Sequence, residues 1–214
     1  MTKFFKALLI FALLGSPALA EPIPFDGSWR EQGFLWFFNN SYKQNGDALT
    51  VGSDGTVSIL YRPVPNDLRA SQRASWDWSV SETVPPTDLT LKGGDDRNLA
   101  MYFVFTDRKT AETVNPKNLR RLLRNPNIRV LAYVWGGDHE RGQILPSPYM
   151  DTRGVTVVRR PAGTGAHGER VDLSRDLQKA FGTRPEALIG VAVSADSDDT
   201  DTRVRAAVSG LRLD

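Results

Sequence analysis

The fold is decided by the segment Trp76-Asp-Trp-Ser-Val80, the loop Lys92-Gly-Gly-Asp-Asp-Arg97 and the apolar run Leu99-Ala-Met-Tyr-Phe-Val-Phe105. In the first segment apolar and polar residues alternate, which is the period of a strand with one buried face. The run from 99 to 105 is apolar at nearly every position, which is typical of a central strand covered on both sides. The stretch therefore predicts two strands joined by a loop in which acids and bases are concentrated.

Most of the remaining chain consists of short β-type segments bounded by turn residues. The turn Gly52-Ser-Asp-Gly55 lies between two of them and predicts a β-hairpin. The density of aromatic residues in 21–40 is typical of a strand that closes a sheet, and the run 34–38 is too continuous to face water. Short helices are predicted at 115–125, with Pro116 in the first turn, and at 172–182. We therefore predict an all-β fold, an antiparallel β-sandwich of the jelly-roll or carbohydrate-binding-module kind with one or two short helices.

The amino terminus has the layout of a signal peptide. Lys3 and Lys6 are followed by the apolar run Leu8–Leu14 and by small residues that end at Ala20. That apolar run is too short to span a bilayer. We expect cleavage after Ala20, a periplasmic or secreted location, and a single β-sandwich domain over residues 21–214.

Composition limits the classes of partner. The chain has 27 Lys and Arg against 25 Asp and Glu, and two of the lysines lie in the leader, so the mature chain has no net formal charge. This argues against a nucleic-acid partner, which requires a basic face. The chain contains no cysteine, so its core must hold it together without disulfides. The sequence shows no second hydrophobic segment of the kind that would predict a membrane anchor, so we expect none in the mature chain.

The loop Lys92, Asp95, Asp96 and Arg97 is the first candidate ligand-binding site. It combines hydrogen-bond acceptors with donors, which is the mixture that sugar hydroxyls require. The alternative is that these charges pair with one another and close the end of the sandwich. Adjacent carboxylates in an extended chain point to opposite sides, so a glycosidase would need a partner acid from elsewhere. The acids that could serve are Asp138, Asp151 and Asp196.

A second group of candidates follows the predicted strand 130–135. Trp135, Asp138 and His139 lie at the end of that strand, where binding residues are often found, and Tyr149 offers another aromatic face. Carbohydrate modules stack such faces against sugar rings. For Trp76 and Trp78 core packing is the better interpretation, because large aromatic side chains dominate sandwich cores.

The acidic loop after residue 195 is a candidate metal site. Asp196, Asp198, Asp199 and Thr200 offer oxygen ligands of the kind that calcium prefers, so calcium is the one cofactor the sequence suggests. The loop departs from the EF-hand pattern, because Asp201 replaces the required glycine. The alternative is a solvated turn with side-chain to backbone hydrogen bonds.

Other motifs are rejected. Gly163-Thr-Gly-Ala-His-Gly168 matches the glycine-rich motif of dinucleotide-binding proteins in sequence, but no βαβ unit surrounds it. We therefore predict a flexible loop for this segment. His139 and His167 are the only histidines, and the chain has no Gly-x-Ser-x-Gly elbow and no cysteine nucleophile. The common hydrolase constellations are therefore disfavoured.

Several phrases taken together resemble the bacterial domain-of-unknown-function 3047 family. The resemblance is strong from residue 76 onward and looser before it. It implies an exported β-sandwich protein and brings no established activity or catalytic residues. In chain order, the phrases are Trp76–Val80, Lys92–Arg97 with Tyr102–Phe105, Tyr133–Gly136, Leu145–Tyr149, Ala180–Gly182 and Gly190–Asp198.

Three functional hypotheses follow. The first is a non-catalytic module that binds a glycan or another polar ligand. The second is a polysaccharide hydrolase or lyase that uses Asp95 or Asp96 with a distant carboxylate, or Tyr149 or His139 as a base. The third is a structural protein of the cell envelope that contacts a partner through an edge strand.

Overall fold

A computed structural model describes residues 20–33, 39–183 and 186–214. Within these ranges the chain forms two β-sheets packed face to face, accompanied by a few short helices. The predicted leader, up to residue 19, and the predicted strand at Phe34–Phe38 lie outside the described residues.

The six-stranded sheet is built from segments spread over the whole chain. Its strands are β1 (Glu21–Pro22), β3 (Ser41–Asn45), β4 (Ala48–Asp54), β6 (Arg73–Glu82), β11 (Gly165–Asp172) and β13 (Arg203–Leu213). Their order is β11-β6-β13-β4-β3, with β1 paired to β13. The pairs are antiparallel.

The seven-stranded sheet carries the candidate site. Its strands are β2 (Arg30–Gly33), β5 (Val57–Pro63), β7 (Arg97–Thr106), β8 (Arg129–Trp135), β9 (Ile144–Ser147), β10 (Asp151–Arg160) and β12 (Ala187–Asp196). Their order is β2-β5-β12-β7-β8-β10-β9, and only the β8–β10 pair is parallel. The predicted β-sandwich is confirmed, with one parallel pair in an otherwise antiparallel arrangement.

The helices are short. They are a 3-10 helix (Asn66–Leu68), α1 (Arg108–Thr113), α2 (Leu119–Leu123) and α3 (Leu173–Phe181). The prediction for α3 is confirmed, because the Asp172 side chain accepts a hydrogen bond from the Arg175 N–H and Gly182 closes the helix at φ +69°. Helix α2 is shorter than predicted and does not start at Pro116. Its N-cap residue is Asn118, whose side chain accepts a hydrogen bond from the Arg121 N–H.

The core lies between the two sheets and is rich in aromatic side chains. Trp76 and Trp78 are each 2% exposed, which confirms that they pack in the core. Trp76 contacts Phe103 and Tyr133, with ring centroids 5.9 and 5.7 Å apart. These contacts join β6 of one sheet to β7 and β8 of the other, so aromatic packing holds the sandwich together.

The predicted hairpin at 52–55 is wrong. Strands β4 and β5 belong to different sheets, and the turn between them, with Gly55 at φ +60°, is a corner. The physical reason is that Leu49 and Val51 on β4 and Leu60 on β5 reach the core from opposite layers, which a hairpin within one sheet would prevent.

Several other connections also cross between the sheets, among them β6 to β7 and β12 to β13. The cross-strand pairs Val57 with Asp196, Asp196 with Arg97, and Asp54 with Arg203 place these two crossings and the β4–β5 corner at one end of the sandwich. The loop 92–97 and the acidic loop after residue 195 are therefore neighbours in space, although a hundred residues separate them in the sequence.

The predicted flexible loop at 163–168 is also wrong, because β11 begins at Gly165 and pairs with β6. The glycines allow the edge strand to lie close to its neighbour. A Cβ atom at Gly168 would lie 2.9 Å from Asp77 Oδ1.

The outer face of the seven-stranded sheet is only partly covered. Helices α1 and α2 pack over one part of it through Ala111, Leu119 and Leu122. Leu89, from the loop between β6 and β7, packs over another part. The sheet surface between these two covers stays open. Within the described part of the chain, no helix is long and apolar enough to cross a membrane.

Candidate functional site

A pocket of about 380 Å³ lies on this open surface of the seven-stranded sheet. Its volume falls within the roughly 300–1,000 Å³ that is typical of small-molecule sites. Strands β12, β7 and β8 form the floor. One wall, called the acidic wall below, is formed by Asp95, Asp196, Asp198 and Asp199, at the end of the sandwich where the chain crosses between the sheets. Among the apolar lining residues are Ile59, Val104, Leu119, Leu123, Ala132 and Ala192.

A register shift places Arg97 in this pocket. Ala100 of β7 lies opposite Ser194 of β12, but Arg97, not Asn98, lies opposite Asp196. Such an irregularity in a strand re-aims the next side chain. Arg97 consequently lines the pocket beside Asp196 instead of entering the core with Leu99.

Arg97 is the centre of a partly buried polar network. Its Nη1 donates to Asp95 Oδ2 at 2.7 Å and lies 3.1 Å from Asp196 Oδ2. Its Nη2 donates to the Tyr102 hydroxyl at 3.0 Å. The Tyr149 hydroxyl donates to Asp95 Oδ1 at 2.7 Å. Four side chains are thereby linked to one guanidinium group, three of them directly and Tyr149 through Asp95.

Burial alone would lower the pKa of Arg97, but Tyr102, Asp196 and Asp95 raise it well above its ordinary value, so the guanidinium stays charged. Burial raises the pKa of Asp196 to about 9, and the Asp198 and Asp96 carboxyl groups add to this effect while Arg97 opposes it. Burial, followed by Asp198 and Asp96, also raises the pKa of Asp199. The wall therefore carries more carboxyl groups than its one buried cation can balance.

Asp96 is fully buried and faces the acidic turn instead of the pocket. Its carboxylate accepts hydrogen bonds from the Asp199 and Thr200 backbone N–H groups, at 3.3 and 2.8 Å, and from the Thr200 hydroxyl. It thus joins the loop 92–97 to the turn that follows β12. The adjacent acids Asp95 and Asp96 therefore form hydrogen bonds with different neighbours, as expected for consecutive residues of an extended chain, whose side chains point to opposite sides.

Tyr149 lies at the rim of the pocket, with Lys92 beside it. Tyr149 is 52% exposed, and the Lys92 ammonium lies 5.7 Å from the centroid of its ring. Burial raises the pKa of the Tyr149 phenol, as does its hydrogen bond to Asp95, so the hydroxyl group remains a donor. An aromatic face with charged neighbours is therefore accessible at the pocket mouth.

The structure brings together Lys92, Asp95, Arg97, Tyr149 and the acidic turn, but it does not bring the 135–139 segment to the pocket. Trp135 is 2% exposed and packs in the core against Trp78. Asp138 and His139 lie at the same end of the sheet, where His139 approaches Asp138 at 3.0 Å and Asp88 at 3.5 Å, and neither lines the pocket. Trp135 faces inward because it alternates with Val134, which faces the outer side.

Sequence reasoning missed Tyr102 and Ser194. The Tyr102 hydroxyl lies 2.9 Å from Ser194 Oγ and also accepts from Arg97. The available signal was the alternation within β7, because Met101 and Phe103 face the core and Tyr102 must therefore face the outer side.

A larger depression of about 630 Å³ lies on the outer face of the six-stranded sheet. Small residues such as Thr50, Gly52 and Ser79 line it. Arg203, which also lines it, forms an exposed ion pair with Asp54. Among the described residues that line it, none is a buried charged group. It therefore lacks the fixed polar groups that distinguish the pocket on the other sheet.

Solved structures with a similar course of the chain include three carbohydrate-active proteins. The xyloglucanase domain of NopAA from Sinorhizobium fredii, in complex with cellobiose, aligns with a TM-score of 0.47 and 8% identity over 87% of this chain and 92% of that one. An endo-1,4-β-xylanase from Trichoderma reesei aligns at 0.41 and 11%, over 84% and 96%. A loop-swap mutant of Neocallimastix patriciarum Xyn11A aligns at 0.40 and 11%, over 86% and 99%. At these identities the likeness concerns the fold alone.

No curated protein matches the chain. A family model described as a protein of unknown function, DUF3047, matches residues 27–212. This match covers most of the chain and includes both sheets and the Arg97 network. The chain therefore belongs to the DUF3047 family.

Proposed function

We propose that this protein is a non-catalytic module that binds a glycan or another small polar ligand in the pocket of the seven-stranded sheet. The ligand presents hydroxyl or amino groups to the acidic wall and a less polar face to the floor. The observation that carries this proposal is the pocket itself, in which an apolar floor adjoins fixed polar groups at Asp95, Arg97 and Tyr149.

A sugar ring matches this arrangement because its hydroxyl groups lie around the edge and its C–H groups form apolar faces. The Tyr149 ring is accessible for stacking, and the Asp95 carboxylate beneath it accepts hydrogen bonds. The network is held by internal contacts before any ligand arrives. Such preorganisation reduces the entropy lost on binding.

The test is a binding screen with short neutral oligosaccharides and amino sugars, measured by melting temperature and by isothermal titration calorimetry. A ligand at about 100 times its dissociation constant should stabilise the protein by about 2.7 kcal/mol. Replacing Tyr149→Ala should weaken binding by about tenfold or more, equivalent to about 1.4 kcal/mol. Tyr149→Phe, which keeps the ring and loses the hydroxyl group, should have a smaller effect.

Asp138→Asn is the matched control, because Asp138 is an exposed acid at the same end of the sheet that does not line the pocket. It should bind the ligand as the wild type does. A screen in which no saccharide changes the melting temperature would contradict the proposal. So would a ligand whose affinity falls with Asp138→Asn and not with Tyr149→Ala.

A polysaccharide hydrolase is the second candidate, favoured by one distance relation. Asp95 Oδ2 and Asp196 Oδ2 lie 2.7 and 3.1 Å from the same Arg97 atom, so they are less than about 6 Å apart, an upper bound that admits the roughly 5–5.5 Å of retaining glycosidases. Arg97 lies between them and engages both, however, which supports binding over turnover. Release of reducing ends in the same screen, abolished by Asp196→Asn, would favour the enzyme instead.

The structural role in the cell envelope has less support. Such a role requires exposed apolar surface on an edge strand. Among the described residues, the large hydrophobic side chains that are exposed are Leu91, Ile144 and Tyr149, and of these Ile144 lies on the edge strand β9. An extracytoplasmic location remains part of the proposal and is supported by the leader pattern of the first twenty residues.

A further inference from the structure

The acidic turn between β12 and β13 is shaped before any ligand binds. Asp96 accepts hydrogen bonds from the backbone N–H groups of Asp199 and Thr200, and Asp201 adopts φ +48°. The Thr200 hydroxyl is engaged by Asp96 and lies 2.7 Å from the Thr202 hydroxyl. These contacts fix the backbone that carries Asp198 and Asp199.

Three carboxylate groups converge at this turn. One oxygen from each of Asp96, Asp198 and Asp199 lies within 4.8 Å of the others. Oxygens that coordinate one Ca²⁺ at about 2.3–2.6 Å can be up to about 5 Å apart. The three residues are therefore close enough to share a single calcium ion.

Asp196 provides an independent observation that a cation belongs here. Its side chain is only 8% exposed, and its Oδ2 faces Arg97. Its Oδ1 is buried and has no hydrogen-bond partner in the described segments, and the nearest carboxyl group is that of Asp198. Two carboxyl groups that face each other in a partly buried site repel unless a proton or a cation lies between them.

We propose that Asp96, Asp198 and Asp199 bind a calcium ion beside the unpaired Oδ1 of Asp196. The set consists of oxygen ligands only and includes two exposed residues that leave room for water, which matches the chemistry of calcium. Thr200 and Thr202 shape the turn. This inference goes beyond the proposed function, because the ion would bind whether or not the neighbouring pocket holds a glycan.

The site also lies at the mouth of the pocket, since Asp196, Asp198 and Asp199 line it. A bound ion would neutralise the surplus of carboxyl groups on that wall. It could also offer a coordination position to a ligand hydroxyl group.

The test begins with purified protein freed of metal by a chelator and titrated with calcium chloride, by calorimetry and by melting temperature. We expect a rise in melting temperature and a dissociation constant no weaker than about 10⁻³ M, the upper end for extracellular calcium modules. The double variant Asp198→Asn, Asp199→Asn should lose the response. Both positions are exposed, so the variant should fold.

Asp201→Asn is the matched control, because Asp201 is an exposed acid of the same turn outside the three-carboxylate cluster, and asparagine tolerates its positive φ. It should bind calcium as the wild type does, and so should Tyr149→Ala, which separates this inference from the glycan proposal. The inference is overturned if calcium chloride produces no response, if the double variant responds like the wild type, or if magnesium chloride at equal concentration gives the same shift.

Discussion

Glu169 shows how single charged residues connect the two sheets. It lies on β11 of the six-stranded sheet, and its side chain is 0% exposed. Its Oε2 accepts from Arg159 Nε at 2.9 Å and from Arg141 at 3.3 Å, and its Oε1 accepts from Arg160 at 3.0 Å. Arg159 and Arg160 belong to β10 of the other sheet, so one buried carboxylate joins both layers at their edge.

Replacing Glu169→Gln should therefore destabilise the protein strongly. The variant leaves the partly exposed Arg159 and Arg160 without the buried carboxylate that they share. Breaking a fully buried pair costs about 3–5 kcal/mol, so we expect a loss at the lower end of that range. Urea unfolding, followed by tryptophan fluorescence, measures the change in the free energy of unfolding.

Glu82→Gln is the control for Glu169→Gln. Glu82 pairs with Arg205 at 2.7 Å, but the two side chains are 42% and 63% exposed. An exposed pair contributes about 1 kcal/mol or less. Equal losses in the two variants would contradict the role given to Glu169.

At the scale of the element, α3 is the clearest case of local sequence deciding local structure. Asp172 caps its first turn, and Gly182 ends it with a left-handed residue. Leu173 and Leu177, four residues apart, face the sandwich core. All these signals lie within a dozen residues, so the helix could be predicted without knowledge of the fold.

Asp172→Ala should cost about 1 kcal/mol of stability, because the Arg175 N–H at the start of α3 loses its acceptor. Asp172→Asn keeps a capping oxygen and should lie within a few tenths of a kcal/mol of the wild type. Denaturant unfolding of both variants measures the difference. An Asp172→Asn variant as unstable as Asp172→Ala would show that charge, and not capping, is responsible.

The connections between strands were much harder to predict than the strands themselves. The β7, β8 and β12 segments are recognisable by their continuous apolar character. The turn at Gly52–Gly55 has the composition of a hairpin, yet it passes from one sheet to the other. Turn residues encode a local reversal of the chain, whereas the choice of sheet depends on which layer can bury Leu49 and Leu60.

For the whole molecule, the crossings at one end of the sandwich bring the polar loops together. The 92–97 loop enters β7 and the acidic turn leaves β12, and these two strands pair with each other, so the two loops are neighbours. The inward orientation of Trp135 and the contribution of Tyr102 depend on which face of the sheet is the core face. That choice is made by the packing of two layers, and no short stretch of sequence contains it.

Hydrogen exchange should reproduce this architecture. Strands β7, β8 and β12 are buried on both faces and lie inside the seven-stranded sheet, so their amide groups should exchange most slowly. The edge strands, among them β3 and β9, should exchange faster than these central strands, because each has a neighbour on one side only. Mass spectrometry of peptic fragments measures this order, and a β12 fragment that exchanges as fast as β9 would be inconsistent with it.

The small residues beneath the pocket make the binding surface adjustable. Ala132 and Ala192 line the pocket from strands whose opposite faces belong to the aromatic core. A larger side chain at either position would make the cavity shallower and would leave the interior packing intact. The depth of this cavity can thus be changed by exchanging one residue on an unchanged framework.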